Sequence, residues 1–326
     1  MYFSKITATG ACVPEKTVTN SDLSTLVETS DEWISSRSGI KNRHFAMSED
    51  ENTASIATGV CEKIIERSGI SALDIDLIIV ATVTAEYTTP STACLVQAKV
   101  GAKNAVAFDI GAACSGFVFG LSIADKFIKA GTVKNAVVIG AEVISKFLDF
   151  DDRGTCVLFG DGAGGVLLQR SEKSGIISEE IGSDGTKGMA LTCGSAKVKN
   201  AFGHFEDVKD NPSLKMDGRA IFDFATRQVP KSIEALLGKA DMDKEEIDFV
   251  IAHQANSRIV QIISRKLKIP MEKFYLNMFE YGNTSSASIP IALNEMNEKG
   301  MIKPDSVGLL TGFGAGLTWG SMLIRF

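Results

Sequence analysis

FDIGAACSGFVFGLSIADKF, residues 108–127, places a cysteine where one periodicity gives way to another. Up to Ile110 the run is that of a buried strand, AVAFDIG from residue 105. From Gly116 the apolar residues recur at helical spacing, and the pattern stops at Gly131. Gly111, Ala112 and Ala113 are small enough for a tight turn between the two. Cys114 is then either a small buried hydrophobe or a nucleophile at a helix start, where the dipole and unpaired N–H groups favour thiolate and can bind an oxyanion. The flanking sequence has to decide.

The same alternation continues outward. IDLIIVATVT (75–84), NAVVIGAE (135–142) and GVLLQ (165–169) read as buried strands, and CLVQAKV (94–100) as a helix. This predicts an α/β fold around a largely buried sheet. The second half repeats the order. EIDFVIAHQAN (246–256) echoes DIDLIIVATVT (74–84), YGNTSSASIPIALNEMNEKG (281–300) echoes IGAACSGFVFGLSIADKFIKAG (110–131), and DSVGLLTGFG (305–314) echoes KNAVVIGAE (134–142). Cys114 lies 17 residues before Gly131, and Asn283 lies 17 before Gly300, so the two are expected in equivalent turns. His253 falls opposite Ala81. The polar stretch QRSEKSG (169–175) divides an N-terminal half, 1–172, carrying Cys114 from a C-terminal half, 173–326, carrying His253 and Asn283. Open α/β sheets bind ligands at strand-to-helix turns, so duplication should bring these three residues toward one another.

Composition narrows the function. The 326 residues, 44% hydrophobic and 23% charged, suit a soluble chain with a large core. A net charge of −6 argues against general nucleic-acid binding. The opening MYFSKITATGACVP lacks a basic region before an apolar run, and no stretch approaches the roughly 20 apolar residues of a membrane span. A cytoplasmic protein without a membrane partner is expected. The six cysteines form no C-x-x-C pair and suit neither a zinc site nor a disulfide framework, so no metal is expected. Only His44, His204 and His253 are available as bases. GDGAGG (160–165) fits G-x-G-x-x-G but runs into the strand VLLQR, not a helix, which excludes a dinucleotide fingerprint. After His253, Arg258, Arg265 and Lys266 share one helix face, opposite Ile259, Val260, Ile262, Ile263 and Leu267. That basic stripe is either a solvated face or a dock for an acidic partner.

TSDEWISSRSGI, AACSGF, DRGTCVLFGDGAG, MDGRAIFDFA, HQAN, GNTSSASIP and GFGAGLTWG occur in this order along nearly the whole chain. In this the sequence closely resembles the β-ketoacyl-acyl carrier protein synthase III family of thiolase-like condensing enzymes. The resemblance implies a duplicated five-layer α-β-α-β-α fold. It implies decarboxylative condensation of an acyl-coenzyme A primer with malonyl-acyl carrier protein, initiating type II fatty acid synthesis, in a homodimer. Acyl-coenzyme A is a substrate, and no resident cofactor is implied. By motif, Cys114 resembles the acyl acceptor, and His253 and Asn283 the pair that promotes decarboxylation and condensation. The backbone N–H groups of Cys114 and Ala315 resemble the oxyanion hole; glycine is common at the latter position, and alanine keeps the N–H. Trp33, Arg37 and Arg153 resemble the coenzyme A adenine and phosphate contacts. Gly218, Phe222 and Asn256 resemble the pantetheine tunnel, and Phe313 the aromatic beside the nucleophile. Arg258, Arg265 and Lys266 match the carrier-protein patch. TAEYTTP (84–90) resembles a dimer-interface segment, with Tyr87 and Thr89 at the acyl pocket. Thr89 stands where acetyl-selective members often carry phenylalanine, which implies a broader primer range. The alternative within the superfamily is a condensing enzyme of specialised metabolism with another primer or extender. The asparagine of GNTSS argues against elongating synthases, which use two histidines, and thiolases, which use a second cysteine. The duplicated pattern argues against a papain-like Cys-His-Asn hydrolase, and the intact triad against a non-catalytic acyl-binding scaffold.

Overall fold

The computed structural model describes residues 2–198, 200, 202 and 212–326, so His204 lies outside the described residues. Its first sheet contains β1 (Phe3–Cys12), β2 (Leu77–Ala81), β3 (Val106–Ile110), β4 (Asn135–Glu142) and β5 (Gly162–Ser171). Their spatial order is β1-β5-β4-β2-β3. β2 runs parallel to both β3 and β4, whereas β5 is antiparallel to β4 and β1. The second sheet contains β6 (Ile176–Ser183), β7 (Phe249–Ala252), β8 (Val307–Gly314) and β9 (Thr318–Arg325), in the order β7-β8-β9-β6. β7 is parallel to β8, and β9 is antiparallel to β8 and β6. Each half thus feeds its first strand to the edge beside its last one. A parallel bridge between Val250 and Phe274 stands where β3 lies in the first sheet.

The helices of eight or more residues are α1 (Asp31–Ser38), α2 (Thr53–Ser68), α3 (Thr92–Val100), α4 (Gly116–Lys129), α5 (Gly218–Ala240), α6 (Ser257–Leu267) and α7 (Ser288–Glu298). α4 and α7 lie between the sheets. Phe117, Leu121 and Ile128 of α4 and Ile289, Leu293 and Met296 of α7 share one buried cluster with side chains of both sheets. Each such side chain contributes roughly 1.5–3 kcal/mol of burial. α2 and α3 cover the outer face of the first sheet through Ile56, Val60, Ile64 and Val96. α5 and α6 cover the second through Val229, Ile233, Val260 and Ile263. The result is the five-layer α-β-α-β-α sandwich that the sequence implied.

The two halves match more closely than their helix ends suggest. Leu77 pairs with Ala136 in the first sheet, and Phe249 with Gly308 in the second; 77 and 249, like 136 and 308, are 172 apart. Ala113 (φ 43°) and Ser285 (φ 50°) take the same left-handed step before a helix, again 172 apart. Ser115 N–H donates to Ala112 O, and Ala287 N–H to Thr284 O. This register keeps His253 opposite Ala81 but corrects the expected pairing of Cys114 with Asn283. The counterpart of Cys114 is Ser286, and Asn283 lies three residues upstream. Counting from the terminal glycines misleads because α4 has 14 residues and α7 only 11.

The equivalent turns are gripped in the same way. A Cβ on Gly140 of β4 would stand 2.3 Å from Ser286 O, and one on Gly312 of β8 would stand 2.9 Å from Ser115 Cα and 3.0 Å from Cys114 O. Only glycine permits such approach of backbone to backbone. Gly140→Ala is therefore expected to destabilise the protein by roughly 2–4 kcal/mol through overpacking. Gly238→Ala meets nothing within 4 Å inside α5 and should stabilise it by up to about 1 kcal/mol. Urea denaturation of both variants checks the contrast; equal midpoints would contradict it.

Candidate active site

Cys114 is the middle residue of the tight turn Ala113–Ser115 that feeds α4. β8 presses on it from behind, since a Cβ on Gly314 would lie 2.9 Å from Cys114 Cβ and 3.0 Å from its Sγ. The thiol is 5% exposed, and its Sγ stands 3.6 Å from Ser285 Oγ. Burial pushes this thiol up to about 12. The helix start was expected to favour thiolate; desolvation outweighs it here, and the free protein holds a neutral thiol.

His253 follows the last residue of β7, and its N–H donates to Thr311 O at 2.8 Å. The ring is 2% exposed and packs edge-on to Phe313, with centroids 5.3 Å apart. Its Nδ1 is 2.7 Å from Ser288 Oγ, which also accepts from Gln254 N–H at 3.4 Å. A hydroxyl that accepts from the backbone can turn its own hydrogen toward Nδ1, leaving the hydrogen of the neutral ring on Nε2. Burial lowers the histidine to about 3, so the ring is neutral at physiological pH.

Asn283 is held by its backbone: its N–H donates to Leu158 O, and its carbonyl accepts from Gly160 N–H. Its Oδ1 accepts from Ser285 N–H at 2.9 Å. That bond fixes which end of the amide is oxygen and turns Nδ2 the other way.

Cys114, His253, Asn283, Phe313, Gly218, Phe222 and Asn256 line one narrow cavity of about 190 Å³. A second cavity, of about 500 Å³, opens on the other side of Cys114. Val83, Ile144, Met189, Leu191 and Leu214 make it largely apolar, and Ala315 lies in its wall beside Cys114. Trp33, Arg37 and Arg153 form a separate cluster, with guanidinium carbons 4.5 Å (Arg37) and 5.2 Å (Arg153) from the indole centre. It borders the narrow cavity, because Gly154 lines that cavity and Asn256 Nδ2 donates to Arg37 O at 3.0 Å. Asn256 also caps α6 by accepting from Arg258 N–H.

Arg258, Arg265 and Lys266 are exposed on α6 as the sequence implied. Two are tethered to backbone: Arg258 donates to Ser36 O and Lys266 to Thr226 O. Tyr87 and Thr89 are exposed, and neither lines a cavity of its own chain with Cys114. Sequence reasoning missed Ser285, Ser288 and Glu142. The two serines stood in view in GNTSSAS, where a run of small polar residues did not show which one faces which partner. Glu142 ends a strand, where an acidic residue ordinarily meets solvent; here it is fully buried. Among the described residues no group of three or more His, Cys, Asp or Glu is placed to hold a metal ion, and no helix is long and apolar enough to cross a membrane.

Fold and site together define a class: a thiolase-like condensing enzyme that transfers acyl groups. The family described as 3-oxoacyl-[acyl-carrier-protein (ACP)] synthase III matches residues 108–185, and its C-terminal counterpart matches 237–326. A β-ketoacyl-[acyl-carrier-protein] synthase III of Streptococcus mutans is 51% identical over 327 residues, covering 100% of both chains. The crystal structure of 3-oxoacyl-[acyl-carrier-protein] synthase III from Aquifex aeolicus VF5 superposes with a TM-score of 0.92 at 44% identity, covering 99% of this chain and 100% of that one. The priming β-ketosynthase of the R1128 polyketide pathway gives a TM-score of 0.93 at 30% identity, covering 99% and 96%. The chain belongs to the β-ketoacyl-[acyl-carrier-protein] synthase III family.

His253 also shapes acid stability. Its folded value of about 3 lies below the ordinary 6.5, so as pH falls the unfolded chain takes up the proton first. The contribution is intact above pH 6.5 and is lost as pH falls toward 3, at up to about 1.4 kcal/mol per pH unit. His253→Gln is expected to show a shallower fall in thermal midpoint across that window. A slope equal to that of the parent protein would contradict the buried neutral histidine.

Proposed function

We propose that this protein joins an acyl group from acyl-coenzyme A to the two-carbon unit of malonyl-acyl carrier protein, through a thioester on Cys114. The observation that carries this reading is the position of the Cys114 sulfur, where a narrow channel lined by His253 and Asn283 meets a larger apolar chamber. The thiol attacks the acyl carbonyl, and the backbone N–H groups of Cys114 and Ala315 receive the developing oxyanion. Coenzyme A leaves, and the acyl chain lodges in the apolar chamber. The malonyl thioester then enters the channel. His253 Nε2–H and Asn283 Nδ2–H donate to its carbonyl oxygen while carbon dioxide departs and enolate charge develops. The carbanion attacks the Cys114 thioester, and the sulfur leaves. Loss of carbon dioxide makes the nucleophile, so this step needs no strong base, in accord with the neutral His253.

The same reading assigns the adenine and phosphates of coenzyme A to Trp33, Arg37 and Arg153. The pantetheine arm runs past Gly218, Phe222, Asn256 and Phe313, and the acidic carrier protein docks on Arg258, Arg265 and Lys266. Acyl-coenzyme A is substrate, not resident cofactor. The halves 1–172 and 173–326 are the two copies of the folding unit, the cytoplasm is the site of action, and a homodimer is the working form. Tyr87 and Thr89, exposed on the single chain, are available to a partner subunit. The apolar chamber exceeds what an acetyl group fills, which favours primers beyond two carbons.

Intact-protein mass spectrometry with C2 to C8 acyl-coenzyme A, followed by malonyl-acyl carrier protein, tests the assignment. Cys114→Ala should take up no acyl group. His253→Ala and Asn283→Ala should still become acylated, yet condense at least about 100-fold more slowly. Acylation of the Cys114→Ala variant would overturn the reading, and turnover confined to acetyl-coenzyme A would remove the broader primer range.

A further inference from the structure

One buried acid beside the reacting sulfur has no part in the steps above. Glu142, the last residue of β4, is fully buried between the halves. Its Oε1 accepts from Ser285 Oγ at 3.2 Å and Ser286 Oγ at 3.0 Å. Its Oε2 accepts from Thr84 Oγ1 at 2.8 Å, Val83 N–H at 3.1 Å and Thr82 Oγ1 at 3.2 Å. Donors to both oxygens, with Ser286 Oγ dividing its hydrogen between Glu142 and Ala81 O at 2.8 Å, support an ionised carboxylate in a place that would otherwise expel it. The chain of contacts does not stop there. Ser285 Oγ, 3.2 Å from Glu142, is also the group 3.6 Å from Cys114 Sγ. Among the described residues this is the hydrogen bond the Cys114 side chain makes, and it leads to Glu142, not to His253. The Ser285 N–H meanwhile orients Asn283.

We propose that Glu142, acting through the Ser285 hydroxyl, is the positioning residue that stores the Cys114 proton between the two half-reactions. The proposal rests on Cys114 being the acyl acceptor. On acylation the S–H bond breaks and its proton passes to Ser285 Oγ, while the Ser285 proton passes to Glu142 Oε1. The sulfur forms its bond to the acyl carbon, and the carbon–sulfur bond to coenzyme A breaks, sending the electron pair out with the coenzyme A thiolate, which is protonated by water outside. On condensation the new carbon–carbon bond expels Cys114 as thiolate. The proton returns from Glu142 through Ser285, restoring thiol and carboxylate. Charge and protons balance over the cycle, with Glu142 as the proton acceptor and donor.

The surroundings suit a proton store. Burial raises the Glu142 carboxyl above the usual carboxylate range, which strengthens its hold on a proton. An ionised Glu142 in turn disfavours a Cys114 thiolate, so the thiol keeps its proton until the sulfur becomes a thioester. The other titratable groups acting on this pair are Lys146 and the Cys193 thiol on the Glu142 side, and neutral His253 across the cavity. Glu86, Asp161 and Glu49 act on Lys146 in turn.

The test follows acyl-Cys114 formation by rapid-quench intact mass, with a C2 to C8 acyl-coenzyme A, from about pH 6 to 9. The full-length protein is compared with Glu142→Gln, Ser285→Ala and Glu142→Asp. Expected is acylation nearly independent of pH above 7 in the parent. Glu142→Gln and Ser285→Ala should be about 100-fold slower at pH 7 and gain about tenfold per pH unit, as a thiol ionising without help requires. Glu142→Asp should restore the flat profile. A merely structural role would lower the rate without changing its pH dependence. Ser285→Ala removes one hydroxyl and keeps the test open should Glu142→Gln fold poorly. A flat profile in both Glu142→Gln and Ser285→Ala overturns the proton store and leaves Cys114 acylation standing. No adduct on Cys114 in the parent protein overturns both.

Discussion

Everything in the centre of this molecule depends on contact between a strand backbone and a turn backbone with no side chain between them. Gly312 and Gly314 of β8 lie against the Cys114 turn, and Gly140 of β4 lies against the Ser286 turn. Each sheet thereby grips the turn that belongs to the other half. The grip fixes where α4 and α7 begin, and these two helices form the layer on which both sheets pack. It also holds Ala113 and Ser285 in a backbone conformation unfavourable for residues with a Cβ. That strain is offset by the packing that imposes it, and it points Cys114 into the cleft.

Duplication supplied two equivalent turns, and the chain uses them differently. At the first turn stands the sulfur. At the second, Ser285 and Ser286 face Glu142, while Ser288 holds His253. α4 and α7 begin in the same register and differ in length at their C-terminal ends, and Asn283 stands opposite Gly111, three residues ahead of Ser286. The amide therefore reaches the cleft from a loop, braced by Leu158 and Gly160, not from the turn that mirrors the cysteine.

Much of this was legible in the residues. Hydrophobic alternation announced the α/β layers, since a fully buried strand such as LIIVA carries no polar face to hide it. The echo of IDLII in IDFVI gave the register that places His253 opposite Ala81. Helix length was not legible, because a glycine marks where a helix stops but not where it starts, and this displaced Asn283 by three positions. The ionisation of Cys114 was misread for a related reason. A helix start is visible in sequence, whereas the burial that outweighs it arises from contacts with β8, two hundred residues away. Glu142 was invisible because its partners, Thr82, Thr84, Ser285 and Ser286, come together only when the halves meet.

One sulfur between two chambers imposes a timetable. On the proposed reading the larger chamber takes the acyl chain, and the channel of about 190 Å³ on the His253 side takes the pantetheine arms. On the proposed reading, the departing coenzyme A and the arriving carrier arm share a single corridor. The first guest clears it before the second arrives, and an acyl chain held in the other chamber leaves it open. Traffic through the corridor, as much as chemistry at the sulfur, then governs how closely one condensation can follow another.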